Sequence, residues 1–224
     1  MTELFSTAYL PPIQLFAVVL KAIRQAQSAG AATGTPAVLW VEGKETFPKQ
    51  TYRNRAMIAT AGGMRTLTVP VIRHNHSRTE EVLIDYKERW NIIHQRTLEA
   101  AYGASPYYLY YKDDLEVLLT PKYERLVDLN DALLKWLLRR LKIDAEVQYT
   151  DEFVPTDDNR IGTEITDYRY CFSPKIPYPT EGMPKYYQVF GDRNGFIGGL
   201  SVVDLLMNLG PEARGYLESM ITEK

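Results

Sequence analysis

The spacing of apolar positions changes several times along the chain, and each change marks an element. LFSTAY (4–9) reads as a short strand running into LPP, where Pro12 suits a first helical position because its missing N–H would be unpaired there anyway. In PIQLFAVVLKAIRQAQ the apolar residues crowd the early turns and the polar ones the later turns, as in a helix packed on a sheet. SAGAATGTP is a loop of small residues, and PAVLWVEG a short strand buried on both faces. Strand, helix and strand in one sheet make a parallel crossover unit, right-handed by chain chirality.

Beyond PKQTYRNRA (48–56), the glycines of AGG supply a turn and RTLTVPVI a strand that Pro70 ends or places at an edge. RHNHSRTE is loop and EVLI another short strand. From Glu88 the period becomes helical. Trp90, Ile93, His94, Thr97, Leu98 and Ala101 fall on one face, and Ser105 with Pro106 reads as the cap and first residue of a second helix carrying YYLYYKDDLEVLL. Leu126, Leu129, Leu133, Leu137 and Leu141 mark a third helix. EVQYT and YYQVF are strand candidates, and residues 151–184 between them show no period. Ser201, three residues before Asp204, starts a helix that Asn208 and Gly210 stop and that Pro211 follows with another. The predicted fold is α/β: a mostly parallel, Rossmann-like sheet with about three helices inserted over residues 88–142, in one domain spanning 1–224.

Composition narrows the function. At 45% hydrophobic and 24% charged residues, a chain of 224 residues can bury a core without disulfides or metal. A net charge of −2 gives no general attraction to nucleic acid or to an anionic membrane, so any basic site is local. Cys171 is the single cysteine, which excludes an internal disulfide and a multi-cysteine zinc site. Glu3 stands where a signal peptide would place positive charge, Lys21 interrupts the apolar run LFAVVL, and no window is long enough to span a bilayer. The expectation is a cytoplasmic protein.

Candidate chemistry is local too. The window 48–56 holds Lys49, Arg53 and Arg55 with no acid among them. If it is extended, those cations share one face with Thr51, and Gln50, Tyr52 and Asn54 share the other. That face is either a solvated strand surface or a clamp for phosphate or carboxylate, with Glu42 placed to orient an arginine. Gln14, in the first turn of the first helix, offers an amide at the strand-to-helix junction where open α/β sheets bind ligands. His94 is either a structural group or the general base, while His74 and His76 without a third ligand make no metal site. Tyr107, Tyr110 and Tyr111, with Asp114 one turn on, either pack the core or stack a sugar or base. The expected partner is a small phosphorylated or carboxylated donor. No residue pattern names a cofactor, and the oligomeric state stays open.

AYLPPIQLF, KQTYRNR, LTVPV, WNIIH, AYGASPYYLYY, LVDLN, YYQVF and LSVVDLLMNLGPEA, in that order, resemble the WbqC-like proteins, and in particular their shorter, Bacteroidetes-type branch. The matching positions include Tyr9, Pro12, Gln14, Lys49, Gln50, Arg53, Asn54, Arg55, Trp90 and His94. The resemblance implies a link to surface-polysaccharide gene clusters such as those for O-antigen, with a transferase acting on amino-sugars, acyl or aminoacyl, as the suggested activity. The alternative is a non-catalytic binding or assembly protein of a biosynthetic complex.

Overall fold

A computed structural model of the protein describes residues 2–28, 37–175, 180 and 183–222. Strand β1 (Thr2–Ser6) leads through the two prolines into helix α1 (Ile13–Ser28), and the chain returns as β2 (Ala37–Glu42) in parallel register with β1, Phe5 opposite Val41. The loop expected over SAGAATGTP lies almost wholly outside the described residues. A hairpin follows, β3 (Arg55–Thr60) with β4 (Gly63–Thr68), then the short pair β5 (Val71–Ile72) and β6 (Leu83–Ile84). Three helices come next: α2 (Trp90–Tyr102), α3 (Tyr108–Leu118) and α4 (Leu126–Arg140). Strands β7 (Ala145–Tyr149) and β8 (Ile165–Asp167) return to the main sheet before one turn of helix, α5 (Gly191–Asn194), and then α6 (Val202–Leu209) and α7 (Ala213–Thr222).

The main sheet has the order β7-β2-β1-β8, and every pairing in it is parallel. Its two faces are covered differently. Phe5, Leu39 and Val41 point to one side, where Phe16 and Val19 of α1 and Leu134 of α4 meet them. Leu4 and Trp40 alternate to the other side and pack on Ile165 of β8 and on Val154 and Ile161, contributed by the chain between β7 and β8. The larger core therefore sits under the helices. Ile13, Phe16, Leu20 and Ile23 of α1 are all buried, and each large side chain so placed contributes about 1.5–3 kcal/mol.

Four expectations change in the structure. The window 48–54 is a turn-rich lead into β3 rather than an extended face: Gln50 has φ 53° and Tyr52–Asn54 form turns and a bend. Strand β8 lies inside the stretch without period, since three residues are too few to show one. YYQVF pairs with no strand. Its Tyr186 hydroxyl and Gln188 amide reach Asp204, and Gln188 also brackets the Ile197 backbone, so side chains hold the segment where a ladder was expected. Ser105 does not cap α3. The helix starts at Tyr108, and the Tyr107 N–H donates instead to the Met207 carbonyl of α6.

The start of α6 behaves as its sequence says. Ser201 caps it through the Val203 N–H, and Gly210, at φ 54°, ends it. Asp204 does not close a capping box but turns inward to Tyr102 and Tyr186. On α2 the buried face is Trp90, Asn91, His94, Leu98 and Ala101, whereas Ile93 is half exposed.

Candidate functional site

Because the main sheet is all parallel, the carboxyl ends of β1, β2 and β8 lie together. Ion pairs fill that edge. Glu42, which ends β2, is fully buried and accepts from the Lys44 and Val154 N–H groups, the Thr150 hydroxyl and Arg169. Arg169, also buried, is held in a fork by Asp167 and donates to the Val154 carbonyl. Asp167 is held below the usual carboxylate range: its own burial would raise it, but the bonds from Arg169 outweigh that.

Arg53 is 4% exposed and pairs with Glu45, Nε to Oε1 at 2.9 Å, with further bonds to Thr51 and to Ser6 at the end of β1. Glu42 therefore orients Arg169, and it is Glu45 that holds Arg53. Both Arg169 and Glu45 were missed from sequence. The only signal for the first was an Asp two residues before an Arg in a stretch without period.

Beside this edge lies a cleft of about 500 Å³. One wall is the start of α1, where the Ile13 N–H donates to the Leu200 carbonyl and the Val202 N–H to that of Pro11, so the starts of α1 and α6 are tied together. Gln14 lines this wall, its amide 3.3 Å from the Met183 sulfur. Gly199, with φ 73°, bends the chain past that amide, and a Cβ placed there would stand 3.8 Å from it. Tyr52, Phe172 and Phe196 supply aromatic surface, and Ser173 a hydroxyl. No Asp, Glu, His, Lys or Arg is among the described lining residues. Cys171 lines the cleft as well, but burial and then Asp167 push its thiol up, which disfavours the thiolate.

The residues singled out from sequence fall in several places. Gln14 is in the cleft. Asn54 closes the neck of the β3–β4 hairpin, exchanging bonds with Val69. Arg55 starts β3 opposite Thr68 and is half-buried, and Lys49 is exposed. Tyr9 is fully buried, with its N–H on the Tyr52 carbonyl and its hydroxyl 2.8 Å from His94 Nδ1. His94 is 4% exposed and packs edge-on to Trp90. Burial pulls its imidazole down to about 4 against a hydrogen bond to the Thr68 backbone, and Arg65 adds to the fall. That bond leaves Nδ1 to accept from the Tyr9 hydroxyl. His94 does not line the cleft.

Tyr107 and Tyr110 line a second cleft, at the end of α4. No group of His, Cys, Asp or Glu side chains able to hold a metal occurs among the described residues, nor does a helix long and apolar enough to cross a membrane.

The uncharacterized protein Rv1507c of Mycobacterium tuberculosis is 26% identical over 196 residues, covering 76% of this chain and 83% of that protein. No solved structure matches the chain. The model of the WbqC-like protein family matches residues 37–169, from β2 through the three helices to Arg169 beyond β8, and the chain belongs to that family.

Proposed function

We propose that the chain is a cytoplasmic transferase of surface-polysaccharide biosynthesis that seats an amino-sugar in the 500 Å³ cleft and places it for acyl or aminoacyl transfer from an activated donor. The cleft's lining carries this reading. Aromatic faces, an amide and hydroxyls, without fixed charge, are what a sugar ring needs for stacking and hydrogen bonding. Its place supports the reading too. Taken in chain order, the main sheet runs third, second, first, fourth, which we read as Rossmann-like with the hairpin and helices inserted in one domain. Ligands of such sheets lie where the connections diverge, here between β1 and β8.

In this reading Arg53, Asn54 and Arg55 shape the wall behind Tyr52, while His94 fixes Tyr9, which in turn holds the Tyr52 carbonyl. Transfer then relies on positioning, which can supply much of a barrier's reduction. One observation favours the second reading, a non-catalytic binding or assembly protein: the described lining offers no carboxylate or imidazole as general base.

The test is thermal unfolding of the wild type and of Gln14→Leu, with N-acetylglucosamine, glucosamine and their nucleotide-linked forms. A sugar at a hundred times its dissociation constant stabilises the native state by about 2.7 kcal/mol. That gain should appear with the free sugars and disappear in the variant. Equal stabilisation of both proteins, or none of either, removes the cleft as a sugar site. Binding without any acylated product by mass spectrometry selects the non-catalytic reading.

A further inference from the structure

The second cleft, about 340 Å³, lies between the start of α3, the end of α4 and the start of α7, and shares no lining residue with the first. Tyr107, Tyr110 and Tyr111 form one side, and Arg139, Arg140, Lys142 and Arg214 surround them. Two of these cations are already matched: Arg140 binds Asp114, and Arg214 binds Glu218 at 3.0 Å. Among the described residues, no carboxylate lies within ion-pair distance of Arg139 or Lys142. In a chain of net charge −2, this is a local excess of positive charge.

The aromatic side is built on packed neighbours. Tyr111 is buried and packs edge-on to Trp136, whose indole N–H donates to the same Asp114 oxygen that Arg140 uses. Tyr110 stands edge-on to Tyr111 at 4.9 Å and is 70% exposed, with the Arg140 guanidinium 5.8 Å from its centroid. The Tyr107 ring can enter only because residue 210 is glycine, as a Cβ there would lie 2.5 Å from it. Arginines in the last turn of a helix commonly answer the helix dipole. Lys142 lies beyond that turn and sits at φ 53°, where glycine would be the unstrained choice, and Arg214 comes from another helix.

We propose that this cleft binds a nucleoside diphosphate, the base stacked on Tyr110 and the diphosphate held by Arg139, Lys142 and Arg214. An exposed aromatic platform beside two cations with no carboxylate at ion-pair distance suits a ligand with one flat ring and two or more negative charges. A cleft of this volume is also in the ordinary range for small ligands. The site stands apart from the sugar reading, because it needs neither Gln14 nor an uncharged lining.

Calorimetric titration with adenosine diphosphate, adenosine and pyrophosphate would test it on the intact chain, on Tyr110→Ala and on Lys142→Gly. Adenosine diphosphate should bind the wild type more tightly than either fragment does, and each substitution should weaken it by about tenfold or more. Lys142→Gly should at the same time raise the thermal midpoint, since it relaxes the backbone, so weaker binding there cannot be blamed on unfolding. Absence of binding overturns the proposal. So does pyrophosphate binding as tightly as the nucleotide with Tyr110→Ala indifferent, which would make the cleft a plain cationic patch.

Discussion

A buried cation requires a counter-charge, and that requirement decides what Arg53 is for. At 4% exposure its guanidinium is matched by Glu45, Thr51 and Ser6, so Arg53 faces internal partners and is not presented in a row with the exposed Lys49. His94 meets the same constraint from the other side, because burial favours the uncharged ring. Its pKa in the folded chain is about 4, below the ordinary 6.5. Between those values the unfolded chain binds a proton that the folded chain does not. Stability from this group is therefore complete above pH 6.5 and falls as pH drops toward 4, by up to about 3 kcal/mol. A resonance titration of the His94 ring should show a midpoint near 4, and His94→Asn should remove this part of the pH slope. A midpoint near the ordinary value would mean that the ring meets solvent after all.

At the scale of elements, periodicity located helices well and misjudged segments held by side chains. Leu126, Leu129, Leu133 and Leu137 of α4 are buried as their spacing requires. YYQVF has the composition of a strand, yet Asp204 and Ile197 anchor it through Tyr186 and Gln188. The junction of α3 with α6 depends on one backbone position. Gly210 combines φ 54° with a Tyr107 ring carbon 2.5 Å from where a Cβ would stand. Gly210→Ala should therefore cost about 2 kcal/mol or more in denaturant unfolding. Gly215→Ala, in α7 with nothing within 4 Å of its added Cβ, should instead stabilise by up to about 1 kcal/mol. If both substitutions behaved alike, the close seating of Tyr107 would be wrong.

At the scale of the molecule, the sheet is covered by helices on one face and by the chain between β7 and β8 on the other. The second cover is fastened by charge as well as by packing, because Glu42 takes the Val154 N–H and Arg169 its carbonyl. Arg169→Met would leave Glu42 buried without its counter-charge, a loss of about 3–5 kcal/mol. Hydrogen exchange should then show the Val154 amide losing protection before the amides of β1 and β2. Uniform loss across the sheet would show that this fastening is not local.

The sequence by itself determined the α/β class, the opening parallel unit, the three consecutive helices, the α6 cap and stop, and the family, because these rest on local spacing and on short motifs. It also placed Gln14 in the first turn of α1, since a strand-to-helix junction is legible from a few residues, whereas the cleft that Gln14 lines is made by the fold. The tertiary structure alone decided which charges meet. Glu45 with Arg53, Glu42 with Arg169, and Tyr110 beside Arg139 and Lys142 are separated by 8, 127 and about 30 positions. Burial and partner choice are properties of distant segments brought together. Three arginines that look alike in the sequence can thus become a buried brace, a strand end and the wall of a cleft.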